Sequence, residues 1–116
     1  MTTEHQRTGA LDAVERIVNR GGEADDVLRQ VVDVLASLYP YVSLWFVEEG
    51  GLVQGPLAGE ASDAERYPIA FQGTKVAELE VAAAADEDRA FLERVATLVS
   101  AHAMVGWDTG GERWEA

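Results

Sequence analysis

Tyr41, Ser43 and Trp45 alternate with Val42, Leu44 and Phe46 in one short run, and Glu78 and Glu80 alternate with Ala77, Leu79 and Val81 in another. Successive side chains of a strand point to opposite faces, so each set lies on one side of its own strand. On a shared sheet face, two aromatic rings and two carboxylates make a shelf for a small cationic or amine-bearing ligand, held by cation–π contact and charge-assisted hydrogen bonds. The same residues have a plainer reading. Large aromatics are packing residues far more often than ligand platforms, and here they would lie under the loop from Gly55 to Glu65, with the glutamates solvated. Residue type alone favours packing.

Other chemistries find less support. The chain has no cysteine, which removes disulfides, thiol catalysis and thiolate metal sites. Its two histidines, His5 and His102, stand far apart without a supporting ligand set, so no metal site is expected and His102 reads as a boundary or interface residue on a helix stripe. Asp86, Glu87 and Asp88 cluster at a helix start, where acidic side chains complement the helix dipole. No run supplies the six or more spaced oxygens that calcium needs. The segment "GGLVQGPLAG" has neither the Gly-x-Gly-x-x-Gly spacing nor the Gly-Lys-Ser/Thr ending that cradles phosphates, so its glycines read as turn residues. No catalytic residue and no cofactor is assigned, and chemistry through carboxylates alone is the one enzymatic option left.

The elements that must position these residues follow from composition and periodicity. A chain of 116 residues, 47% hydrophobic and 26% charged, suits one domain with one core. Twenty-one acidic against nine basic residues give a net charge of −12, which repels nucleic acid and anionic lipid alike. The polar start "MTTEHQRTGA" and the lack of a long apolar run point to the cytoplasm. Residues 1–7 read as a disordered leader and 8–105 as the domain. Residues 106–116 read as an acidic tail whose Trp107 and Trp114 either dock on a partner protein or fold back over the sheet. Thr8 is expected to cap a helix with Leu11, Val14, Ile17 and Val18 on one stripe. A second helix, from about Glu23, carries Val27, Leu28, Val31, Val32, Leu35 and Leu38 and stops before Pro40. Tyr41 to Val47 turns through "EEGG" into Leu52 to Gln54 as a hairpin. "RYPIAFQG" and "KVAELEV" are two further strands, the first placed at an edge by Pro68. Asp86 is expected to cap a last helix running to about Met104. The pattern is α+β, an antiparallel sheet of about four strands with helices packed on one face, the first and last helices lying on the sheet and the second packing with them.

This order, with "VSLWFVEEGGLVQGPLAG", resembles a GAF domain over nearly the whole chain, from about Leu11 to His102. Within that family it looks most like the free methionine-(R)-sulfoxide reductases, whose first hairpin ends in a comparable Leu-Val-x-Gly-Pro-x-x-Gly segment, here Leu52 to Gly59. "KVAELEVAAAADEDRAFLERVATLVSAHA" is similar to the family's last strand and C-terminal helix. The resemblance implies that Val42, Leu44 and Phe46 face the helices. Tyr41, Ser43 and Trp45, with Glu78 and Glu80, then look toward the ligand side. Reductase activity does not carry over, because those enzymes act through cysteines. The cyclic-nucleotide motif of the family, of the Asn-Lys-x-Asp-Glu type, is also absent, as is the bilin-attaching cysteine. The segment that forms the family's lid is reduced to Glu60 to Glu65, which leaves a shallow concavity.

The resemblance thus implies a non-catalytic GAF-like regulatory or protein-interaction module in bacterial signalling. The alternative is a small-molecule sensor using the Tyr41/Trp45 face. Family members commonly bundle their first and last helices into homodimers, which implies an interface from Leu11, Val14, Val18, Leu92, Val95, Val99 and His102. The last helix adds a physical reason, since its stripe of Phe91, Leu92, Val95, Leu98, Val99, Ala103 and Met104 is wider than one small sheet can cover. The −12 charge opposes that contact, so dimerisation is expected to strengthen with salt.

Overall fold

In the computed structural model, which describes residues 2–105, helix α1 (Glu4–Arg20) starts at Thr3 rather than at the expected Thr8. The Thr3 hydroxyl accepts from the Gln6 N–H at 3.1 Å, and the Gln6 side chain accepts from the Thr3 N–H at 2.8 Å. This reciprocal cap satisfies two donors that a helix start leaves open, so residues 4–7 form a helical turn and not a leader. Helix α2 (Ala24–Ala36) opens with Asp25 and Asp26 in its first turn and buries Val27, Leu28, Val31, Val32 and Leu35.

Strands β1 (Tyr41–Glu48), β2 (Gly51–Gly59), β3 (Ala64–Phe71) and β4 (Thr74–Ala82) form one antiparallel sheet in the order β2-β1-β4-β3. A 3-10 turn at Asp86–Asp88 leads into α3 (Arg89–Leu98) and α4 (Ser100–Val105). The fold class is therefore α+β, as expected, with Val42, Leu44, Phe46, Leu79 and Val81 buried in the core between sheet and helices. Pro68 sits in the edge strand β3. One placement differs. α1 was expected on the sheet, but it packs across α2 and α3, while α2 lies on β1 and β2, and α3 and α4 lie on β3 and β4. The reason is stripe width: α1 buries only Ala10, Val14 and Ile17, whereas α2 buries five large apolar side chains. No helix among the described residues is long and apolar enough to cross a membrane.

β2 is longer than the three residues expected because a bulge absorbs its Gly-Pro step. Ser43 pairs with Leu57 and Trp45 with Gln54, so Leu44 alone faces Gly55 and Pro56. The Gln54 carboxamide donates to the Leu44 and Gly55 carbonyls, each at 3.1 Å, and to the Ser43 hydroxyl. It thus supplies donors where the ladder cannot. Gly55 is needed there, since a Cβ would run into the Phe46 ring.

The last helix is not continuous to Met104 as expected. It breaks at Val99, where the Ser100 hydroxyl takes the Thr97 carbonyl at 2.9 Å, a local bond that competes with the helical ladder. Nor does Asp86 cap it. Asp88 accepts from the Ala85 N–H at 3.0 Å and pairs with Arg7 Nη1 at 2.8 Å, with only 2% of its side chain exposed.

Two tyrosines report on this packing. Burial, then a hydrogen bond to Glu65, pushes the Tyr67 phenol up to about 12. Burial chiefly, with the nearby Asp88 carboxylate adding to it, raises Tyr39 as well. Each is neutral in the fold, so its contribution is complete below the unfolded tyrosine value of about 10 and is lost as pH rises toward the folded one. Stability should fall between about pH 10 and pH 12. Tyrosinate absorbance from these two residues should rise together with loss of the near-ultraviolet dichroism. Their ionisation near pH 10 with the fold intact would contradict the burial described.

Candidate functional site

Antiparallel pairing sets Trp45 opposite Glu78 and Ser43 opposite Glu80 on one flank of β4, and Pro68 and Arg66 opposite the same two glutamates on the other. Directly paired residues share a face. Tyr41, Ser43, Trp45, Glu78 and Glu80 therefore come together on the side of the sheet away from the helices. Tyr41 and Ser43 are buried and Trp45 is half-buried.

The two carboxylates are already occupied. Glu80 Oε1 accepts from the Tyr41 hydroxyl at 3.0 Å and from Trp45 Nε1 at 2.8 Å, and its Oε2 lies 3.5 Å from Arg66 Nε. Glu78 Oε1 accepts from Arg66 Nη1 at 2.9 Å, and its Oε2 meets the Lys75 ammonium. The Lys75 ammonium, with Arg66 acting in the same sense, holds the Glu78 carboxyl below the usual carboxylate range. The Arg66 guanidinium carbon stands 5.5 Å from the centre of the Trp45 ring, a cation–π distance. Arg66 and Lys75 are 44% and 48% exposed, so water screens both pairs and each contributes about 0–1 kcal/mol.

The shelf therefore exists, and the chain itself supplies the cation on it. Sequence reasoning placed five of its residues and missed Arg66, Lys75 and Gln54. Arg66 stands two positions before the edge proline, which puts both on one face. Its meeting with Glu80 depends on the β3–β4 register, which no local pattern specifies. The segment expected to cover the aromatics, Gly55 to Glu65, is mostly strand: β2 runs to Gly59, β3 begins at Ala64, and residues 60–63 link them.

The residues expected at a helical dimer interface are divided. Val14, Leu92, Val95 and Val99 are at most 1% exposed within the single chain, because α1, α2 and β3 of the same chain cover the stripe that looked too wide for one sheet. Leu11, Val18 and His102 are half-buried. The His102 Nδ1 is buried without a hydrogen-bond partner among the described residues. Among those residues no three histidine or acidic side chains gather as a metal site. Trp107 and Trp114, expected to dock or fold back, lie outside the described residues.

No family model matches the sequence, and no curated protein does. Solved structures do. A free methionine-R-sulfoxide reductase from Neisseria meningitidis, in complex with its substrate, superposes with a TM-score of 0.75 at 13% identity, covering 90% of this chain and 95% of that one. The GAF domain of an Acinetobacter phosphoenolpyruvate-protein phosphotransferase gives 0.71 at 10% identity, covering 88% and 94%. The GAF domain of a putative sensor histidine kinase from Pseudomonas syringae gives 0.62 at 14% identity, covering 96% and 91%. The chain has a GAF-like fold. Identities this low carry the fold and nothing finer, and the absence of cysteine rules out cysteine-based catalysis on it.

Proposed function

We propose that the chain is a non-catalytic regulatory or protein-interaction module of bacterial signalling. The observation that carries this reading is the closed network on the open side of the sheet, in which Glu78 and Glu80 are taken up by Arg66, Lys75, Tyr41 and Trp45. A site built for a small ligand keeps convergent polar groups available to it. Here those groups face one another. Two of the similar folds are GAF domains, one of them from a putative sensor histidine kinase, which supports a signalling setting. The cytoplasm remains the expected location.

A second reading rests on Arg66. A guanidinium on the Trp45 ring is a cation on the aromatic shelf, and an amine-bearing small molecule could displace it in a sensor using Tyr41, Ser43, Trp45, Glu78 and Glu80. Thermal-shift screening with amines, amino acids, nucleotides and purines separates the two. A ligand at a hundred times its dissociation constant stabilises by about 2.7 kcal/mol. No reproducible shift is expected. A clear hit that disappears in Trp45→Ala would replace the interaction module with the sensor.

A further inference from the structure

Among the described residues, the large apolar side chains most exposed to water are Val47, Leu52, Val53, Leu57, Met104 and Val105. Three of the six share one place. Val47 pairs with Leu52 and Leu57 with Ser43, so Val47, Leu52 and Leu57 surround Trp45 on the β1–β2 half of the sheet face away from the helices. They are 43%, 37% and 50% exposed. The β3–β4 half of the same face carries Arg66 and Lys75 against Glu78 and Glu80, two cations paired with two carboxylates.

That pairing matters on this particular chain. With a net charge of −12, two copies repel over most of their surfaces. This face is apolar on one half and electrically balanced on the other, so burying it against its own copy brings no excess of like charge together. A basic partner, by contrast, would be steered to the acidic surface elsewhere and find no net attraction here. A two-fold axis also places equal numbers of cations and carboxylates from each copy across from the other. The size sets the strength. Four strands about 4.8 Å apart and about eight residues long at about 3.3 Å each span roughly 19 by 26 Å in projection. That is about 490 Å² per partner, below the roughly 800 Å² of a standard interface and in the range of a weak, concentration-dependent dimer.

We infer that this sheet face is the docking surface for a second copy of the chain, the two sheets stacking face to face across a two-fold axis. The geometry is that of a sandwich, with sheets about 10 Å apart. It departs from the helical bundle that the family resemblance implied, whose Val14, Leu92, Val95 and Val99 are spent in the monomer's own core. The inference rests on the interaction-module reading, yet its test is separate. A monomeric mass would remove the dimer and leave the result of the ligand screen as it stands.

The test is multi-angle light scattering of the full chain at tens of micromolar, in low salt and at physiological ionic strength. The expected mass is about twice the 12.5 kDa of one chain, with the dimer fraction growing as salt screens the repulsion. Leu57→Glu and, independently, Leu52→Glu replace exposed side chains, so both should stay folded by circular dichroism while weakening the dimer about tenfold or more. Gly9→Arg at an exposed position of α1, where an added Cβ meets nothing within 4 Å, should leave the mass unchanged. A monomer under all conditions overturns the inference, whatever else then covers the face. So does a dimer that survives both glutamate variants, whether or not Gly9→Arg dissociates it.

Discussion

Gly59→Ala should lower the unfolding free energy by about 3 kcal/mol, a large effect for a single methyl group. Gly59 has φ of +88°, a region that costs an L-residue about 1–2 kcal/mol. A Cβ there would also overlap the Pro40 carbonyl oxygen. That oxygen belongs to the backbone leading into β1, so the strand must move, and overpacking of this kind costs about 1–3 kcal/mol. The midpoint temperature should drop by about 4–8 °C for each kcal/mol lost in a domain of this size. Gly9→Ala is the matching control of opposite sign. It lies inside α1 with open space around it, and should stabilise by about 1 kcal/mol. Urea unfolding of the two variants beside the parent measures both. A Gly59→Ala protein within about 0.5 kcal/mol of the parent, the range of an ordinary surface change, would mean that the Tyr41–Gly59 pairing is looser than described.

Removing the Arg7 side chain should cost about 3 kcal/mol, at the low end of the 3–5 kcal/mol typical of breaking a buried ion pair. Arg7 Nη1 bonds Asp88 Oδ1 at 2.8 Å and the Thr2 carbonyl at 3.1 Å. Asp88 is 2% exposed and Arg7 18%, so Arg7→Ala strands a carboxylate away from water, whereas the reverse change leaves a guanidinium that can still reach it. Asp88→Asn keeps an acceptor for the Ala85 N–H and should cost less, about 1–2 kcal/mol. The ordering is the informative part. If Asp88→Asn proved the more damaging by equilibrium denaturation, the turn before α3 would depend on the carboxylate's charge and not on its link to α1.

The architecture was legible because period and punctuation agreed along the chain. Val42, Leu44 and Phe46 alternate cleanly, α2 repeats at helical spacing, and Pro68 marks an edge. The misreadings lie where a side chain overrides the local signal. Gln6 closes a cap on Thr3 inside a stretch whose composition is that of a leader. Gln54 bridges the bulge that lets β2 pass through Gly55 and Pro56, which read as an exit. The site was half legible for a related reason. Alternation puts Tyr41, Trp45 and Glu80 on faces, but their meeting with Arg66 is fixed by strand register, and register is a property of two segments at once. The width of the last helix's apolar stripe was read correctly and explained wrongly. Counting the sheet as its only cover left out α1 and α2 as a second layer.

Both rims of the sheet end in a strand that carries proline, Pro56 in β2 and Pro68 in β3. A proline has no N–H to offer, and in a rim strand the missing donor points outward. A cross-β stack grows only if each added strand finds an unbroken row of donors and acceptors on the one before it. Here each rim has a gap in that row. The β2 rim would otherwise be the hazardous one, since Leu52, Val53 and Leu57 give it the apolar content that fibril-forming segments share. Crowding or partial unfolding thus exposes an oily ribbon that cannot serve as a continuous template, and the route from this domain to amyloid is obstructed at both sides by two ring nitrogens.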